Sequence, residues 1–385
     1  MSADEPLRVL MFCTGTGIYN RGVETLFREM FDGLRAPLCD RNIDLRFLTG
    51  GGPTNEYEAR VWCLRRTGRL AKLLGRCVRR DAYTIEQLTF LPGLIRRIRA
   101  IKPHVVYYGD GAVARRLYAW RNRIGVPYRL AFNNGAPLHP PQWGVEMVHQ
   151  VAPFYYDEAI AAGESKERNV LIPQGIIVPD GNPVASTPGT QAAARAELCL
   201  PLERKIVISV GAVGMHTHKR VPYTISEIAR IAPETRPFLL LLGAFDETTP
   251  QVQQDATRLL GAGNFAIRSV PYEQVCRYYH AADVFTLGSV KEGFGRVYIE
   301  ALCEGLACVV HDQAVMRYVL GEHGIFADFT CEGTMSEAIT QQLLHPNTPA
   351  DMMRRREYVR ARFSWNVLAP DYARMFEQCA ALLLV

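Results

Sequence analysis

Several features of secreted, metal-binding and membrane-spanning proteins are missing from this chain of 385 residues. Its 10 cysteines include no Cys-x-x-Cys pair, and this absence argues against a zinc site. We expect most of the cysteines to be small core residues of a protein in a reducing compartment. The longest strongly apolar run, Phe238–Leu242, is far too short to cross a bilayer. The first residues, Met1–Glu5, lack the positive and apolar regions of a secretory signal. We therefore expect a cytoplasmic protein without a metal site.

The composition is that of a folded protein with more than one domain. Hydrophobic residues make up 48% of the chain and charged residues 22%, values that exclude a disordered chain. A length of 385 residues exceeds what one ordinary hydrophobic core organises, so we expect two domains.

Short apolar runs alternate with amphipathic segments along the first half, a pattern that predicts a parallel sheet covered by helices on both faces. The run Leu7–Cys13 predicts a first buried strand, and a glycine-rich loop and a helix over Val23–Leu34 follow it. Further strands are predicted at Leu45–Thr49, Val105–Tyr108, Tyr128–Phe132, Ala159–Ala162 and from Asn169 on.

The second half repeats this alternation without repeating the sequence. A tract rich in Pro, Gly, Asn and Ser, Pro179–Pro188, predicts a linker or exposed loop before it. A segment at the end, Phe363–Leu384, predicts an amphipathic helix. The predicted strands of this half are Lys205–Gly211, Phe238–Leu242, Phe265–Val270, Val284–Leu287, Cys308–Val310 and Ile325–Ala327.

The most informative motif lies near residue 300. Two carboxylates stand eight positions apart: Glu292 lies in the loop after an apolar strand ending at Ser289, and Glu300 lies in the first turns of a predicted helix over Val297–Leu306. A strand, a glycine turn and a helix N-terminus together form a site for phosphate and hydroxyl groups. The simpler interpretation is that Glu292 caps the helix and Glu300 is a solvated surface charge.

The motif resembles the E-x7-E signature of retaining GT-B glycosyltransferases, in particular glycosyltransferase family 4. Weaker similarities follow the same order along the chain at Ser209–Gly211, Lys219-Arg220 and Phe363–Trp365. The resemblance implies two Rossmann-like α/β domains that face each other across a cleft. It places an acceptor-side domain at residues 1–175, joined by a C-terminal helix at about 367–385 that crosses back to it, and a donor domain at 176–366.

The resemblance also implies roles for individual residues toward a nucleotide-sugar donor. Glu292 would bind hydroxyls of the donor sugar, Glu300 those of the ribose, and Lys219 with Arg220 the diphosphate. The implied catalytic residues are Glu292, Lys219 and Arg220. The implied donor contacts are Gly15, Gly17, Gly211, His218, Lys219, Arg220, Ser289, Glu292, Gly293, Phe294, Gly295 and Glu300. Acceptor-side candidates are Tyr19, Asn133, Asn134 and His139.

The first glycine loop argues against a dinucleotide cofactor. Four residues separate Gly17 from Gly22, whereas the dinucleotide fingerprint needs two, and bulky Tyr19 and Arg21 lie between them. The loop looks like the donor-facing loop of family 4, or its glycines only permit a turn. We expect no cofactor, and a nucleotide-diphosphate sugar as co-substrate.

The chain departs from the family pattern at three places. Ala212 stands where the family has an arginine, Asn133 and Asn134 follow a strand where the family often has a histidine, and Gln174 replaces an asparagine. An amide cannot act as a general base. No Asp-x-Asp motif occurs, so we expect metal-independent transfer. The retention that the resemblance implies, with no obvious enzymic nucleophile, suggests front-side attack. Histidines His216 and His218 are weak metal candidates because no third ligand lies nearby in sequence.

The segment 65–102 is strongly basic. Eleven basic and two acidic residues give it a net charge of 11 − 2 = +9, which leaves 5 − 9 = −4 for the rest of the chain. Such a segment can bind an anionic membrane or a phosphorylated acceptor, whereas nucleic acid is not expected. Leu70, Leu73, Leu74 and Val78 lie on one helical face. We expect this face to pack on the domain core, with the arginines solvated and a small-molecule rather than a lipid-linked acceptor.

Two other functions remain compatible with the same fold. A phosphorylase or sugar-phosphate synthase would use phosphate or a sugar phosphate in place of another acceptor. A non-catalytic sugar-nucleotide-binding protein would retain the architecture without turnover, because fold alone does not establish activity.

Overall fold

The computed structural model describes residues 5–382, except residues 20, 136–137, 188 and 346. The chain forms two compact units, of which the first holds the residues up to Ile177 and those from Phe363 on, and the second holds Val178–Arg362. The division at 175/176 and 366/367 stays a prediction. Within the described residues, no helix is both long and apolar enough to span a bilayer.

The first unit is built on a seven-stranded parallel sheet. Its strands follow the spatial order β3-β2-β1-β4-β5-β6-β7, so the strand order reverses inside the sheet, between β1 and β4. The strands are β1 Leu7–Cys13, β2 Ile43–Thr49, β3 Glu58–Arg60, β4 Val105–Tyr108, β5 Arg129–Asn133, β6 Met147–Gln150 and β7 Asn169–Leu171. The first helices are α1 Gly22–Cys39, α2 Arg69–Cys77, α3 Ala82–Ile101, α4 Gly111–Ile124 and α5 Pro153–Ala161.

The second unit has a six-stranded parallel sheet of order β10-β9-β8-β11-β12-β13. Its strands are β8 Ile206–Val210, β9 Phe238–Leu242, β10 Phe265–Arg268, β11 Val284–Thr286, β12 Ala307–His311 and β13 Gly324–Ala327. Its helices are α6 Thr190–Glu197, α7 Val221–Arg230, α8 Thr249–Leu260, α9 Val275–Ala281, α10 Arg296–Cys303, α11 Ala314–Leu320, α12 Thr334–Leu344 and α13 Pro349–Phe363. The predicted linker tract, of which Pro188 lies outside the described residues, opens this unit.

The last helix, α14 Trp365–Ala381, packs on the first unit beside α1. Its Trp365 occupies a slot that only glycines leave open. A Cβ atom at Gly33 would lie 2.2 Å from Trp365 Cδ1, and one at Gly175 would lie 2.6 Å from Trp365 Cε3. The return of the last helix to the first unit, predicted from the resemblance, is therefore present.

Both faces of the first sheet carry a hydrophobic core. One face packs against α1 and α14, and the other packs against α3 and α4. All four residues of β4 and all five residues of β8 and of β9 are buried, as expected for central parallel strands. The predicted α/β architecture is confirmed.

One predicted strand is wrong. Ala159–Ala162 falls at the end of helix α5, which begins at Pro153, a residue suited to the first helical turn. The strand of this region is β6, which the apolar pattern conceals because it contains His149 and Gln150. Both polar side chains are buried and hydrogen-bonded inside the unit.

Candidate functional site

The loops after β8 and β11 carry the polar groups that sequence analysis singled out in the second unit. These strands are neighbours, and the chain continues from β8 to one side of the sheet and from β11 to the other. In parallel sheets, loops at such a switch point diverge and leave a crevice at the carboxyl ends of the strands. Lys219 follows β8, and Ser289 and Glu292 follow β11.

Lys219 and Glu292 meet in this crevice. The Lys219 ammonium donates a hydrogen bond of 2.7 Å to Glu292 Oε1, although the two residues are 73 positions apart. Their side chains are only 14% and 7% exposed, respectively. The stem of Lys219 lies over Gly211, where a Cβ atom would be 3.0 Å from Lys219 Cγ. Two of the three predicted catalytic residues and one predicted glycine therefore form one arrangement.

Arg220 makes contacts different from those expected of a free cation. Its guanidinium donates to the carbonyl oxygens of Gly288 at 3.2 Å and Phe329 at 3.1 Å, and it stacks over the ring of Tyr223. Arg220 thus ties the end of β11 to a neighbouring loop. Its contact with a diphosphate stays a prediction.

Ser289 is a polar group of this crevice whose hydroxyl has unmet hydrogen-bonding capacity. The residue is 1% exposed, and its Oγ has no hydrogen-bond partner within the described part of the chain. Nearby, the amide nitrogen of Gln313, a residue that sequence analysis missed, is also buried without a partner there. Gln313 Oε1 accepts from the backbone N–H of Glu292 at 3.5 Å. A buried hydroxyl with no partner is costly unless a ligand satisfies it.

The turn between Glu292 and the helix is held by its middle residues. Phe294 is 3% exposed and anchors the loop in the unit. Gly295 is the N-cap residue of α10 and has a φ of 78°, a left-handed conformation that glycine adopts without strain. Gly293, on the other side of Phe294, is half-buried. Helix α10 begins at Arg296, four residues after Glu292, so its N-terminus lies close to that residue in sequence.

Glu300 lies on α10 itself, about one turn after its first residue, and accepts hydrogen bonds from aromatic hydroxyls. Tyr272 donates to Oε1 at 3.1 Å and Tyr279 to Oε2 at 3.4 Å, while the Arg296 guanidinium lies 3.6 Å from Oε1. Burial raises the pKa of Tyr279, so this hydroxyl stays a donor. These three positioning residues were missed by sequence analysis, although Arg296 precedes Glu300 by the four positions that place two side chains on one helical face.

His218 precedes Lys219 on the same loop and is exposed. Partial desolvation, followed by the charge of Lys219, lowers its pKa from the ordinary value, while Glu292 opposes this shift. The imidazole is therefore neutral near pH 7 and can donate or accept a hydrogen bond. Among the residues that the structure describes, no three His, Cys, Asp or Glu side chains come together as a metal-binding group.

The glycine loop of the first unit is filled by its own side chains. A Cβ atom at Gly15 would lie 2.2 Å from the Arg66 guanidinium, and one at Gly17 would lie 2.4 Å from the backbone of Gly51. The loop therefore uses its glycines for close packing. The predicted donor contact of Gly15 and Gly17 gains no support from this placement.

Arg66 organises a buried charged cluster beneath this loop. Its guanidinium pairs with Glu24 at 2.6 Å and with Glu86 at 3.0 Å, and the ring of Tyr19 stacks on it. The Tyr19 hydroxyl donates to Glu86 at 3.0 Å. The predicted acceptor contact Tyr19 is thus held in place by residues that lie far from it in sequence.

The two asparagines after β5 are also used internally. Asn133 donates to the Tyr107 hydroxyl at 2.5 Å and accepts from the backbone N–H of Gly135, and Asn134 donates to Gln150 at 2.9 Å. They are only 3% and 2% exposed. Their predicted acceptor role gains no support from these contacts. His139, by contrast, is strongly exposed and lies 3.1 Å from Glu158.

Helix α2 contradicts the expectation that its apolar face packs on the core. Leu70, Leu73, Leu74 and Val78 are 64%, 57%, 43% and 55% exposed. The buried residues of the helix are instead the small Ala71 and Gly75, and a Cβ atom at Gly75 would lie 2.5 Å from the carbonyl oxygen of Arg80, just after the helix. The apolar face, defined here by Leu70, Leu73, Leu74 and Val78, is therefore open.

Comparison with known proteins places this chain among sugar-transferring enzymes. Residues 190–358 match the family model of glycosyl transferases group 1. Alpha-maltose-1-phosphate synthase of Mycolicibacterium smegmatis is 26% identical over 73% of this chain and 79% of its own length. D-inositol 3-phosphate glycosyltransferase of Corynebacterium urealyticum is 25% identical over 52% of this chain and only 50% of its own length.

Solved structures share the fold across almost the whole chain. Sucrose-phosphate synthase from Thermosynechococcus elongatus superposes with a TM-score of 0.73 at 16% identity, covering 96% of this chain and 98% of that one. Anabaena HepE in complex with UDP and glucose gives a TM-score of 0.71 at 15% identity, with coverages of 96% and 99%. The resemblance to GT-B glycosyltransferases of family 4, the GT-B architecture and the glycosyltransferase class are confirmed.

Proposed function

We propose that this glycosyltransferase moves a sugar from a nucleotide diphosphate to an acceptor hydroxyl, with retention of configuration and without a metal ion. The observation that carries the proposal is the Lys219–Glu292 pair at the switch point of the second sheet, beside the buried Ser289 hydroxyl. A relative of the same fold is described in complex with UDP and glucose, which supports a nucleotide-sugar donor here.

Each polar group of the crevice has a role in this proposal. The Lys219 ammonium stabilises the negative charge that builds on the departing diphosphate, together with the backbone N–H groups that open α10. Glu300, already oriented by Tyr272 and Tyr279, accepts hydrogen bonds from the ribose hydroxyls. Glu292 accepts one from a hydroxyl of the transferred sugar. The donor is a co-substrate, and no cofactor takes part.

The proposed reaction needs no nucleophile from the protein. The acceptor oxygen approaches the anomeric carbon from the face that the diphosphate leaves, so the new bond has the configuration of the old one. A phosphate oxygen of the leaving group takes the acceptor proton. Glu292 suits the role of a hydroxyl acceptor better than that of a nucleophile, because its charge is neutralised by Lys219 at 2.7 Å.

A sugar-phosphate synthase is the alternative that a specific observation favours. The names of three similar proteins contain a phosphorylated sugar or cyclitol: alpha-maltose-1-phosphate, D-inositol 3-phosphate and sucrose phosphate. We therefore include sugar phosphates, an inositol phosphate and inorganic phosphate as acceptors to be tested, beside unphosphorylated sugars. A phosphorylase would form a sugar phosphate from inorganic phosphate.

The experiment is a two-stage assay. A thermal-shift screen with nucleoside diphosphates, in the presence of EDTA, first identifies the base, because a ligand at 100 times its dissociation constant stabilises the fold by about 2.7 kcal/mol. Chromatography then follows nucleotide release from the matching nucleotide sugars with each acceptor. Binding without release under any acceptor would favour a non-catalytic sugar-nucleotide-binding protein, and no binding would overturn the proposal.

We also propose peripheral contact between the first unit and an anionic membrane through the segment 65–102, with a lipid-linked acceptor as the alternative to a small molecule. The open apolar face of α2 is bordered by exposed Arg69, Lys72 and Arg76. An amphipathic helix with cations beside an exposed apolar face lies in the membrane interface when anionic lipid is present. A cytoplasmic location, at the inner face of the membrane, is part of this proposal.

Vesicle co-sedimentation tests the membrane contact with a matched pair of variants. The double change Leu70→Ser with Leu73→Ser should abolish binding to vesicles that contain phosphatidylglycerol. The control, Leu202→Ser with Leu344→Ser, alters leucines of similar exposure, 52% and 70%, in the second unit and should bind as the unchanged protein does. Equal binding of both variants, or no binding of the unchanged protein at low ionic strength, would contradict the proposal.

A further inference from the structure

A cavity of about 390 Å³ opens in the first unit beside the edge strand β3. Its floor forms where Val61, directly after β3, meets Gly93 of α3. A Cβ atom at Gly93 would lie only 2.5 Å from Val61 Cγ1, so glycine is what lets the chain after the strand approach the helix. Ala100, another small residue, lines the cavity about two helical turns after Gly93 on α3. The volume lies within the range of small-ligand sites, about 300–1,000 Å³.

The wall of this cavity is strongly cationic. Arg60 from β3 and Arg96 and Arg97 from α3 line it, and its lining contains no carboxylate. None of these three guanidinium groups has an ion pair with any residue that the structure describes. Several other arginines of the same unit have carboxylate partners: Arg8, Arg28, Arg46, Arg66 and Arg121. Three like charges around one concave surface repel each other until an anion neutralises them.

Trp62 adds an apolar surface to the same cavity. It lines the cavity together with the arginines, and 66% of it is exposed. An exposed indole presents a flat ring on which a sugar ring, a glycerol backbone or an acyl segment can pack. The cavity therefore combines a site for a planar or tetrahedral oxyanion with a site for an apolar neighbour.

We propose that this cavity binds a phosphate group carried by a small molecule or by a lipid headgroup. Guanidinium groups present paired N–H donors that match phosphate oxygens. Arginines from β3 and from α3 can therefore donate hydrogen bonds to one phosphate from two sides. The site goes beyond the proposed transfer reaction, because the residues that carry the donor all lie in the second unit. It supplies the phosphate recognition that a phosphorylated acceptor or an anionic membrane would require.

The test compares two variants that remove the same charge. Arg96→Gln with Arg97→Gln neutralises the cavity and keeps most of each side-chain stem. The control is Arg115→Gln with Arg116→Gln, an adjacent pair of exposed arginines on α4 that does not line the cavity. Two probes are used at low ionic strength: inorganic phosphate, followed by phosphorus NMR, and phosphatidylcholine vesicles with or without phosphatidic acid.

We expect the cavity variant to lose affinity for at least one probe about tenfold or more, since the charged hydrogen bonds that it loses are stronger than neutral ones. The control should change by less than about twofold, the scale expected of a distant surface charge. Loss of phosphate binding identifies a soluble ligand, and loss confined to the vesicles identifies a headgroup.

Equal weakening of both variants would show a general charge effect and overturn the proposal, as would failure of the unchanged protein to bind either probe. If the cavity variant unfolds, Arg60→Gln replaces it with the same expectations. The thermal shift produced by nucleoside diphosphates should be the same in both variants. An absent shift in the unchanged protein would instead contradict the proposed donor site and leave the cavity test intact.

Discussion

The loops at the carboxyl ends of the two sheets differ in how their polar groups are satisfied. In the second unit, Ser289 keeps a buried hydroxyl without a partner in the described chain, and Lys219 pairs with Glu292 through flexible side chains that a ligand can rearrange. In the first unit, Arg66 is fixed between two carboxylates, and Asn133 is fixed by a tyrosine and a backbone N–H. The same parallel-sheet architecture thus leaves one set of loops ready for a polar ligand and fills the other.

This difference teaches that a glycine-rich loop is not evidence of a phosphate site by itself. The space beside Gly15 is filled by the side chain of Arg66, and the space beside Gly17 by the backbone of Gly51. Gly211 instead lies beside the side chain of Lys219, and Gly288 beside the backbone of Arg220. The informative feature is what fills the space over the glycine. Substitutions in these loops of the first unit should therefore affect stability, and substitutions in these loops of the second unit should affect donor binding and turnover.

The largest effect on stability is expected from Arg66→Met. This change leaves Glu24 and Glu86 buried without their cation, which costs about 3–5 kcal/mol of unfolding free energy. The control Arg46→Met removes a partner of Asp44 at the surface and should cost about 1 kcal/mol or less. Urea unfolding measures both. If folded Arg66→Met lost as much free energy of nucleoside diphosphate binding as of unfolding, this would contradict the claim that the first-unit loop affects stability and not donor binding.

The largest effect on turnover is expected from Lys219→Gln. The amide still donates to Glu292 but carries no charge for the departing diphosphate, so turnover should fall about 10²–10³-fold. Lys205→Gln is the control, since Lys205 lies in the same unit and its side chain is 56% exposed beside Asp283. Initial rates with saturating acceptor measure the effect. Restoration of activity by magnesium would contradict metal-independent transfer.

A pH dependence of stability is expected from His149 in the first unit. Burial lowers the pKa of this fully buried imidazole from 6.5 to about 4. Its Nε2 lies 2.7 Å from the carbonyl oxygen of Ile172, so that nitrogen carries the proton and Nδ1 accepts from the Tyr107 hydroxyl at 2.6 Å. Protonation of Nδ1 would place two donors against each other.

Because the folded pKa lies below that of the unfolded chain, the unfolded chain binds the proton more readily. Stability should therefore be full above about pH 6.5, fall as the pH drops, and level off near pH 4, with a total loss of about 3 kcal/mol at 1.36 kcal/mol per pKa unit. Urea unfolding of the unchanged protein and of His149→Gln across this range isolates the contribution. The same slope in both proteins would show that other groups cause the dependence.

The smallest of these effects is expected from Glu300→Gln. The variant keeps the shape of the side chain but weakens its hydrogen bonds to ribose, so nucleoside diphosphate affinity should fall by about 1.5–3 kcal/mol. Glu337→Gln, on an exposed position of α12, is the control. Calorimetry that gives equal affinities for both variants would remove Glu300 from the ribose site.

The elements of the fold were predictable where each strand is a continuous apolar run. β1, β4 and β9 have the predicted bounds, because buried parallel strands are apolar on both faces. Strand β6 was not predictable in this way, because it contains the polar residues His149 and Gln150. Their side chains are buried and hydrogen-bond to Tyr107 and Asn134, respectively, rather than facing water. The short edge strand β3 gave no apolar signal either.

The candidate site was predictable where its residues belong to one continuous motif, or where the family resemblance named them, as it did Lys219. Glu292, Gly295 and Glu300 belong to one continuous motif. The Arg66 cluster joins residues 24, 66 and 86, and the clamp made by Arg220 joins residues 220, 288 and 329, so both follow from tertiary contacts that no local pattern records. The exposure of the apolar face of α2 was not predictable, because the helix buries the small residues Ala71 and Gly75 and not its leucines.

Calorimetric titration with a panel of nucleoside diphosphates in EDTA tests most directly whether the second unit carries a metal-independent donor site. We predict that the unchanged protein and folded Arg66→Met bind the same nucleoside diphosphate with equal affinity, and that Lys219→Gln binds it about tenfold or more weakly, the scale of a lost charged hydrogen bond. Binding that appears only after a divalent metal is added, or that Lys219→Gln retains in full, would contradict the account.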